Sequence, residues 1–222
     1  NGDVLGEIGN AARAIGARVL HFSTDYVFSG EGARPWREDD ATAPRNAYGR
    51  SKLAGEQALA ASGCQHLLLR TAWVYGARGR NFLRTMLKLA RDRDELSVVS
   101  DQRGSPTSSC AIAAGALACM LRADAASEPR WGTYHLSCAG EASWHEFATA
   151  IFAGAVHASL LPKQPTVRAI PSTAFPTRAT RPAWSVLDSS RVANVFGVRL
   201  PPWREALDLV LDRRAHHAVV ER

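Results

Sequence analysis

Nothing in this 222-residue sequence approaches the roughly 18 consecutive apolar residues of a membrane-spanning helix, and no charged-then-apolar leader stands at its beginning. Cysteine is scarce. Of the four, Cys64, Cys110, Cys119 and Cys138, none forms a Cys-x-x-Cys pair and three lie in apolar segments. That excludes a zinc ribbon or a disulfide framework and speaks for buried free thiols in a reducing compartment. Lysine is scarcer still: of 27 basic residues only Lys52, Lys88 and Lys163 are lysine. The arginines are scattered, so the net charge of +6 predicts no nucleic-acid surface. The one tight basic pair, Arg213-Arg214, reads as a helix end, where cations suit the dipole. His21, His66, His135 and His145 lack metal-ligand spacing, His216-His217 belongs to a polar tail, and no metal site is expected. Also missing is a strand, glycine-rich turn and helix of the kind that cradles a pyrophosphate. Gly6-x-x-Gly9 follows no strand; Gly76-x-x-Gly79 follows one but has Phe82 where a third glycine belongs.

What is present is ordinary globular material, 46% hydrophobic and 22% charged, enough for one large domain or one and a half modest ones. Helical and strand patterns alternate. Val4 to Ile15 is amphipathic, with Leu5, Ile8, Ala12 and Ile15 spaced for one helical face; Arg18 to Ser23 is a short buried strand, and Ser29 to Asn46 is a loop. Tyr48 to Ser62 is a helix with Asn46 as N-cap and Gly63 as its stop. Leu67 to Tyr75 reads as one apolar strand of the parallel type. Further helices are expected at Phe82–Arg93, Ser109–Arg122, Trp144–Ala155 (opened by a Ser143–Glu146 capping box) and Trp203–Arg214. Strands are expected at Leu96–Ser100, Thr133–Ser137 and Val167–Ile170. The class is α/β, with a parallel-sheet first half, a smaller mixed second half and a frayed tail from Ala215.

Chemistry concentrates between Ser23 and Lys52. Ser23-Thr24-Asp25-Tyr26 ends a predicted parallel strand, where open α/β sheets place their ligand crevice. Tyr48 and Lys52 follow one helical turn apart, on one face. An ammonium beside a phenol lowers the phenol's pKa from about 10 toward working pH, giving a tyrosine able to exchange a proton. The Thr24 hydroxyl is placed to hydrogen-bond the same oxygen. Asp25 also suits a turn cap, Trp73 a core position, and Arg70 and Arg103 ordinary ion pairs.

These residues carry a resemblance. Ser23-Thr24-Asp25-Tyr26-Val27-Phe28, Tyr48-Gly49-Arg50-Ser51-Lys52 and Arg70-Thr71-Ala72-Trp73-Val74-Tyr75-Gly76 resemble the extended short-chain dehydrogenase/reductase superfamily. More narrowly they resemble the dTDP-4-dehydrorhamnose reductase family, as do Asn81-Phe82, Asp101 to Thr107, Trp131 to Leu136, Arg181 to Asp188 and Trp203 to Leu207. The motifs run in order almost from end to end.

The resemblance implies the C-terminal part of a doubly wound, Rossmann-type parallel sheet plus a smaller mixed α/β substrate-binding lobe. Residues 1–100 would be a partial NAD(P)-binding domain and 101–222 mainly the substrate lobe, with some chain interleaved back. It implies NADPH-dependent reduction of the C4 ketone of dTDP-4-dehydro-L-rhamnose to dTDP-L-rhamnose. Tyr48 would be the proton donor, Lys52 the holder of the nicotinamide ribose, and Thr24 the hydroxyl partner of the substrate oxygen. Asp25 and Trp73 would meet the sugar, and Gln102, Pro106 and Thr107 the nucleotide half. It implies a cytoplasmic monomer or homodimer, with Mg2+ at a dimer contact in some members. Since the likeness begins one helix before the Ser-Thr-Asp-Tyr strand, the chain is expected to be a C-terminal fragment. As written it should bind NADPH poorly, show little activity and leave an unpaired apolar edge on the Arg18–Ser23 strand. The residues that would choose NADPH over NADH are not in it. Two alternatives stand beside the enzyme. One is a non-catalytic binding subunit of the same fold, such as the regulatory subunit of methionine adenosyltransferase. The other is another nucleotide-sugar reductase or epimerase.

Overall fold

The computed structural model describes residues 2–125, 130–177 and 179–212. The chain begins with α1 (Asp3–Ala14), which buries Leu5, Gly9 and Ala12, spaced for one helical face. β1 (Val19–Thr24) ends in a 3-10 turn (Asp25–Val27), and α2 (Ala47–Ala61) follows the loop. The Asn46 side chain caps α2 by accepting from the Gly49 N–H at 2.8 Å. Next come β2 (His66–Thr71), β3 (Val74–Tyr75), α3 (Phe82–Asp92), β4 (Glu95–Val99), β5 (Arg103–Gly104), β6 (Thr107–Ser108) and α4 (Ser109–Asp124). The second half adds β7 (Gly132–His135), β8 (Ala142–Ser143), α5 (Trp144–His157), β9 (Thr166–Ile170), α6 (Ser190–Phe196) and α7 (Trp203–Leu211). Ser143 and Glu146 form the expected capping box of α5.

β1, β2 and β7 form an all-parallel sheet in that order. β2 is central, and Leu67, Leu68 and Leu69 are all fully buried. Strand alternation explains the uniformly apolar run: Leu68 packs with Leu5 and Leu59, while Leu67 and Leu69 join α4 and α6 residues on the opposite face. β4 and β9 pair in parallel beside the largest core, which α3, α5 and α7 enclose around Leu83, Phe147, Ile151, Phe152 and Leu207. β5 and β8 pair antiparallel.

Three differences from the sequence patterns have physical causes. The run Leu67–Tyr75 is two strands, because Trp73 adopts a left-handed backbone (φ 46°) that turns the chain; β3 then pairs with β6. α6 is a seven-residue helix too short for its periodicity to stand out; Gly197, at φ 61°, ends it. α7 ends at Leu211, and the Arg213-Arg214 pair and the tail lie outside the described residues. Cys64, Cys119 and Cys138 are buried free thiols, whereas Cys110 is exposed on α4. Among the described residues no helix is long and apolar enough to cross a membrane.

Among those residues β1 pairs only with β2. The Val19 N–H donates to the Gln65 carbonyl on the β2 side, so parallel alternation turns the Phe22 carbonyl to the open edge. Leu20 and Phe22 are 36% and 40% exposed there.

Candidate active site

The carboxyl end of β1 delivers Thr24 and Asp25 against the first turn of α2. The helix comes this close because its third residue is Gly49: a Cβ there would stand 2.2 Å from the Tyr26 backbone oxygen. Gly49→Ala therefore forces α2 away from the β1 terminus. We expect a loss of about 1–3 kcal/mol in chemical unfolding, as for overpacked sites, together with a fall in activity.

The Thr24 hydroxyl donates to Asp25 Oδ1 at 2.8 Å, accepts from the Tyr26 N–H at 3.2 Å and lies beside the Tyr48 phenol, whose pKa it pulls downward. The Tyr26 ring meets Tyr48 edge-on at 5.7 Å between centroids. Tyr48 remains 51% exposed, so its hydroxyl is open to a ligand.

Lys52 does not do to Tyr48 what the spacing suggested. Its Nζ turns back to β1, lying 2.8 Å from His21 Nε2 and donating to the Phe22 carbonyl at 2.6 Å. The phenol pKa is raised rather than lowered: burial is the main cause, the Asp25 charge adds to it, and the Thr24 hydroxyl opposes it. Tyr48 is thus held protonated, the form a proton donor requires.

Asp25 is buried, and its Oδ2 has no hydrogen-bond partner. Burial pushes its carboxyl from 3.8 up to about 7, against the hydrogen bond from Thr24 and the nearby Ser185 hydroxyl. The folded state then holds this proton more tightly than the unfolded state. Asp25's contribution to stability is fully present below pH 3.8 and is lost as pH rises to about 7. Asp25→Asn removes that slope. We expect its thermal midpoint, relative to the parent, to be higher at pH 8 than at pH 5. The opposite slope from His135, which burial and Arg70 push down to about 3, is common to both proteins and cancels.

Trp73 is brought to the segment after β4. Its indole lies where a Cβ on Gly104 would stand 2.3 Å away, its Nε1 donates to Ser185 Oγ at 3.1 Å, and it stacks on Trp144 at 3.4 Å with 2° between planes. The left-handed backbone at Trp73 is held by these contacts. Gln102 is half-buried at the rim, whereas Pro106 and Thr107 are buried. The Thr107 hydroxyl donates to the Ser105 carbonyl and accepts from the Cys138 N–H, so both its hydrogen-bonding roles are filled inside the fold. The expected contact of Thr107 with a ligand would therefore compete with these bonds. Arg70 and Arg103 are ion-paired, Arg70 with Glu56 and Arg103 with Glu141 and Glu146. Sequence patterns did not single out His21, Trp144 or Ser185. Only His21 carried a signal, standing two residues before Ser23 on the same strand face.

A groove of about 120 Å³ beside Tyr26 is lined by Gly30, Arg45, Asn46, Arg181 and Pro182. A larger cavity, about 510 Å³, lies among Pro35, Cys138, Glu141, Asp188 and Leu200 and shares no residue with the Thr24–Tyr48–Lys52 cluster. Size does not mark the site; chemistry does. Among the described residues no group of three or more His, Cys, Asp and Glu side chains is placed to hold a metal ion.

A parallel α/β sheet with Ser-Thr-Asp at a strand end and Tyr-x-x-x-Lys on the next helix defines the extended short-chain dehydrogenase/reductase class. Residues 1–216 match the family described as the RmlD substrate binding domain. The dTDP-4-dehydrorhamnose reductase of Burkholderia thailandensis is 46% identical over 94% of this chain and 72% of its own length. The crystal structure of a Clostridium acetobutylicum dTDP-4-dehydrorhamnose reductase superposes with a TM-score of 0.85 at 34% identity, covering 95% of this chain and 71% of that one. The Bacillus anthracis reductase in complex with NADP gives 0.82 at 34% identity, covering 95% and 70%. The chain belongs to the dTDP-4-dehydrorhamnose reductase family.

Proposed function

We propose that this protein reduces the C4 ketone of dTDP-4-dehydro-L-rhamnose to dTDP-L-rhamnose with NADPH, in the cytoplasm, as a monomer or homodimer. The observation that carries the reading is the Thr24–Tyr48 hydroxyl pair at the end of β1, in a chain 46% identical to a curated reductase. The NADP complex of the Bacillus anthracis relative supports the cofactor. The residues present fit it: Lys52 is a buried ammonium with two acceptors and a third hydrogen to give, and the buried Ser23 hydroxyl has no partner. NADPH, when bound, supplies the hydride for C4.

The side chains do the rest. Thr24 turns its hydroxyl hydrogen from Asp25 Oδ1 to the substrate O4 and so holds it beside Tyr48. Tyr48, kept protonated by its surroundings, gives its phenolic proton to O4 as the carbonyl becomes an alkoxide, leaving an alcohol. Trp73, backed by Trp144, packs on the sugar ring, and Asp25, which is buried, acts on the sugar side by holding the Thr24 hydroxyl until O4 arrives. Gln102, beside Pro106, meets the nucleotide half. In this reading residues 1–100 contribute mainly to the cofactor side and 101–222 mainly to the substrate lobe, with β7 returning to the first sheet.

The alternative of a non-catalytic binding subunit is less well supported, because the proton-transfer residues are all present and arranged for use. The test is NADPH absorbance loss with dTDP-4-dehydro-L-rhamnose, using protein expressed from its complete coding sequence, with a UDP-4-ketohexose for comparison. Turnover of the dTDP sugar supports the reading; turnover of the UDP sugar alone, or of neither, overturns it.

A further inference from the structure

Ser185 is a buried serine in the segment before α6 that the proposed chemistry does not use, yet its hydroxyl meets the Trp73 indole. Resting on the assignment of Trp73 to the sugar ring above, we propose that Ser185 is a positioning residue: it fixes the rotation of the Trp73 indole within its own plane, and so sets where the sugar ring lies relative to Thr24 and Tyr48.

Trp144 fixes the plane of the indole, 3.4 Å away with 2° between the rings, but stacking leaves a ring free to slide and turn within that plane. The bond from Trp73 Nε1 to Ser185 Oγ, 3.1 Å long, removes that freedom. Its direction is settled, because an indole N–H only donates. The Ser185 hydroxyl in turn donates to the Arg103 carbonyl at 3.1 Å, so its single hydrogen is occupied and a lone pair is left for the indole. The serine is itself held. Its N–H donates to the Arg103 carbonyl at 2.9 Å and the Arg103 N–H donates to the Ala183 carbonyl at 2.8 Å, which lays this segment along β5. The indole reaches the serine past Gly104, where a Cβ would stand 2.3 Å from Trp73 Nε1. The same hydroxyl lies near the Asp25 carboxyl, so Ser185 stands between the residues that handle O4 and the one that holds the ring. These contacts join the turn after β1, the residue before β3, β5 and the segment before α6, and none of them uses α1 or the edge of β1. An aromatic platform fixed before the ligand arrives lowers the entropy cost of binding.

The experiment compares Ser185→Ala, Trp73→Phe, their double variant and Trp73→Ala, made in the protein from its complete coding sequence. KM and kcat are read with dTDP-4-dehydro-L-rhamnose, and NADPH affinity by fluorescence titration without sugar. Ser185→Ala removes the acceptor; Trp73→Phe removes the donor and keeps an aromatic face. We expect each to raise KM for the sugar about three- to tenfold, the factor carried by a neutral hydrogen bond, while kcat falls less and NADPH affinity stays at the parent value. The two changes break one bond, so the double variant should be no worse than the poorer single one. A merely structural serine behaves differently: its loss adds in full to that of Trp73→Phe, or weakens NADPH binding equally, and either result overturns the proposal. A parent-like KM in Ser185→Ala beside a raised KM in Trp73→Ala overturns the positioning role alone. A parent-like Trp73→Ala overturns the assignment of Trp73, and the positioning role with it. Should Ser185→Ala not fold, Trp73→Phe still breaks the bond from the other end, and a parent-like KM there overturns the proposal.

Discussion

Tyr48→Phe should lower kcat by about 10²–10⁴, the range for removal of a positioned general acid, while leaving the unfolding midpoint almost unchanged. The change removes one oxygen from a half-exposed ring on the first turn of α2 and disturbs no core contact. Binding should be affected much less than rate, because the phenol acts on charge that develops at O4 in the transition state. The raised phenol pKa makes this expectation specific. A tyrosine held protonated by burial and by Asp25 supplies a proton in the direction of reduction. At neutral pH the rate should therefore not climb with increasing phenolate. Parent-like turnover by Tyr48→Phe would remove the proton-transfer role.

The largest effect on stability is expected from Glu56→Leu. Glu56 and Arg70 form a buried pair, with side chains 6% and 7% exposed. Arg70 Nε donates to both carboxylate oxygens at 3.1 and 3.2 Å, and Nη2 donates at 2.6 Å. Removing the carboxylate leaves a guanidinium in the interior over the Phe28 ring, with a 3.4 Å contact to the Glu38 carbonyl as its remaining polar partner. Breaking such a pair costs about 3–5 kcal/mol, because a buried charge is left uncompensated. The double variant Glu56→Leu/Arg70→Met should recover most of that loss, since two apolar side chains of similar size need no partner. Denaturant unfolding of the two variants decides it: a single variant as stable as its parent would mean that water reaches the pair. The effect matters for function because Glu56 lies one turn beyond Lys52, and the pair ties α2 to β2.

Much of this arrangement was legible in the sequence because it is local. The Asn46 cap and the Ser143–Glu146 box depend on residues within one helical turn, and the structure contains both. Of the α1 face expected from Leu5, Ile8, Ala12 and Ile15 it buries only Leu5 and Ala12, with Gly9 between them, because Ile8 and Ile15 lie on the exposed side. The Tyr48–Lys52 spacing likewise placed both residues on α2 beside Thr24. What the spacing could not convey was direction. Lys52 turns to β1 because His21 and the Phe22 carbonyl offer acceptors there, and those acceptors are set by strand register. The break at Trp73 was hidden for a similar reason: the left-handed turn depends on stacking with Trp144, 71 positions away, and on the small Gly104. Thr107 looked like a ligand contact by its motif, but tertiary packing committed its hydroxyl to Ser105 and Cys138.

The most direct test of the proposed reaction follows the hydride. The protein from its complete coding sequence is incubated with NADPH deuterated at the transferable C4 position and with dTDP-4-dehydro-L-rhamnose, and the sugar nucleotide is analysed by mass spectrometry and NMR. The predicted product is dTDP-L-rhamnose with a single deuterium at sugar C4 and oxidised cofactor in equal amount. An unlabelled or merely epimerised ketone, or recovery of both reactants unchanged, would contradict the assignment of this protein as the reductase.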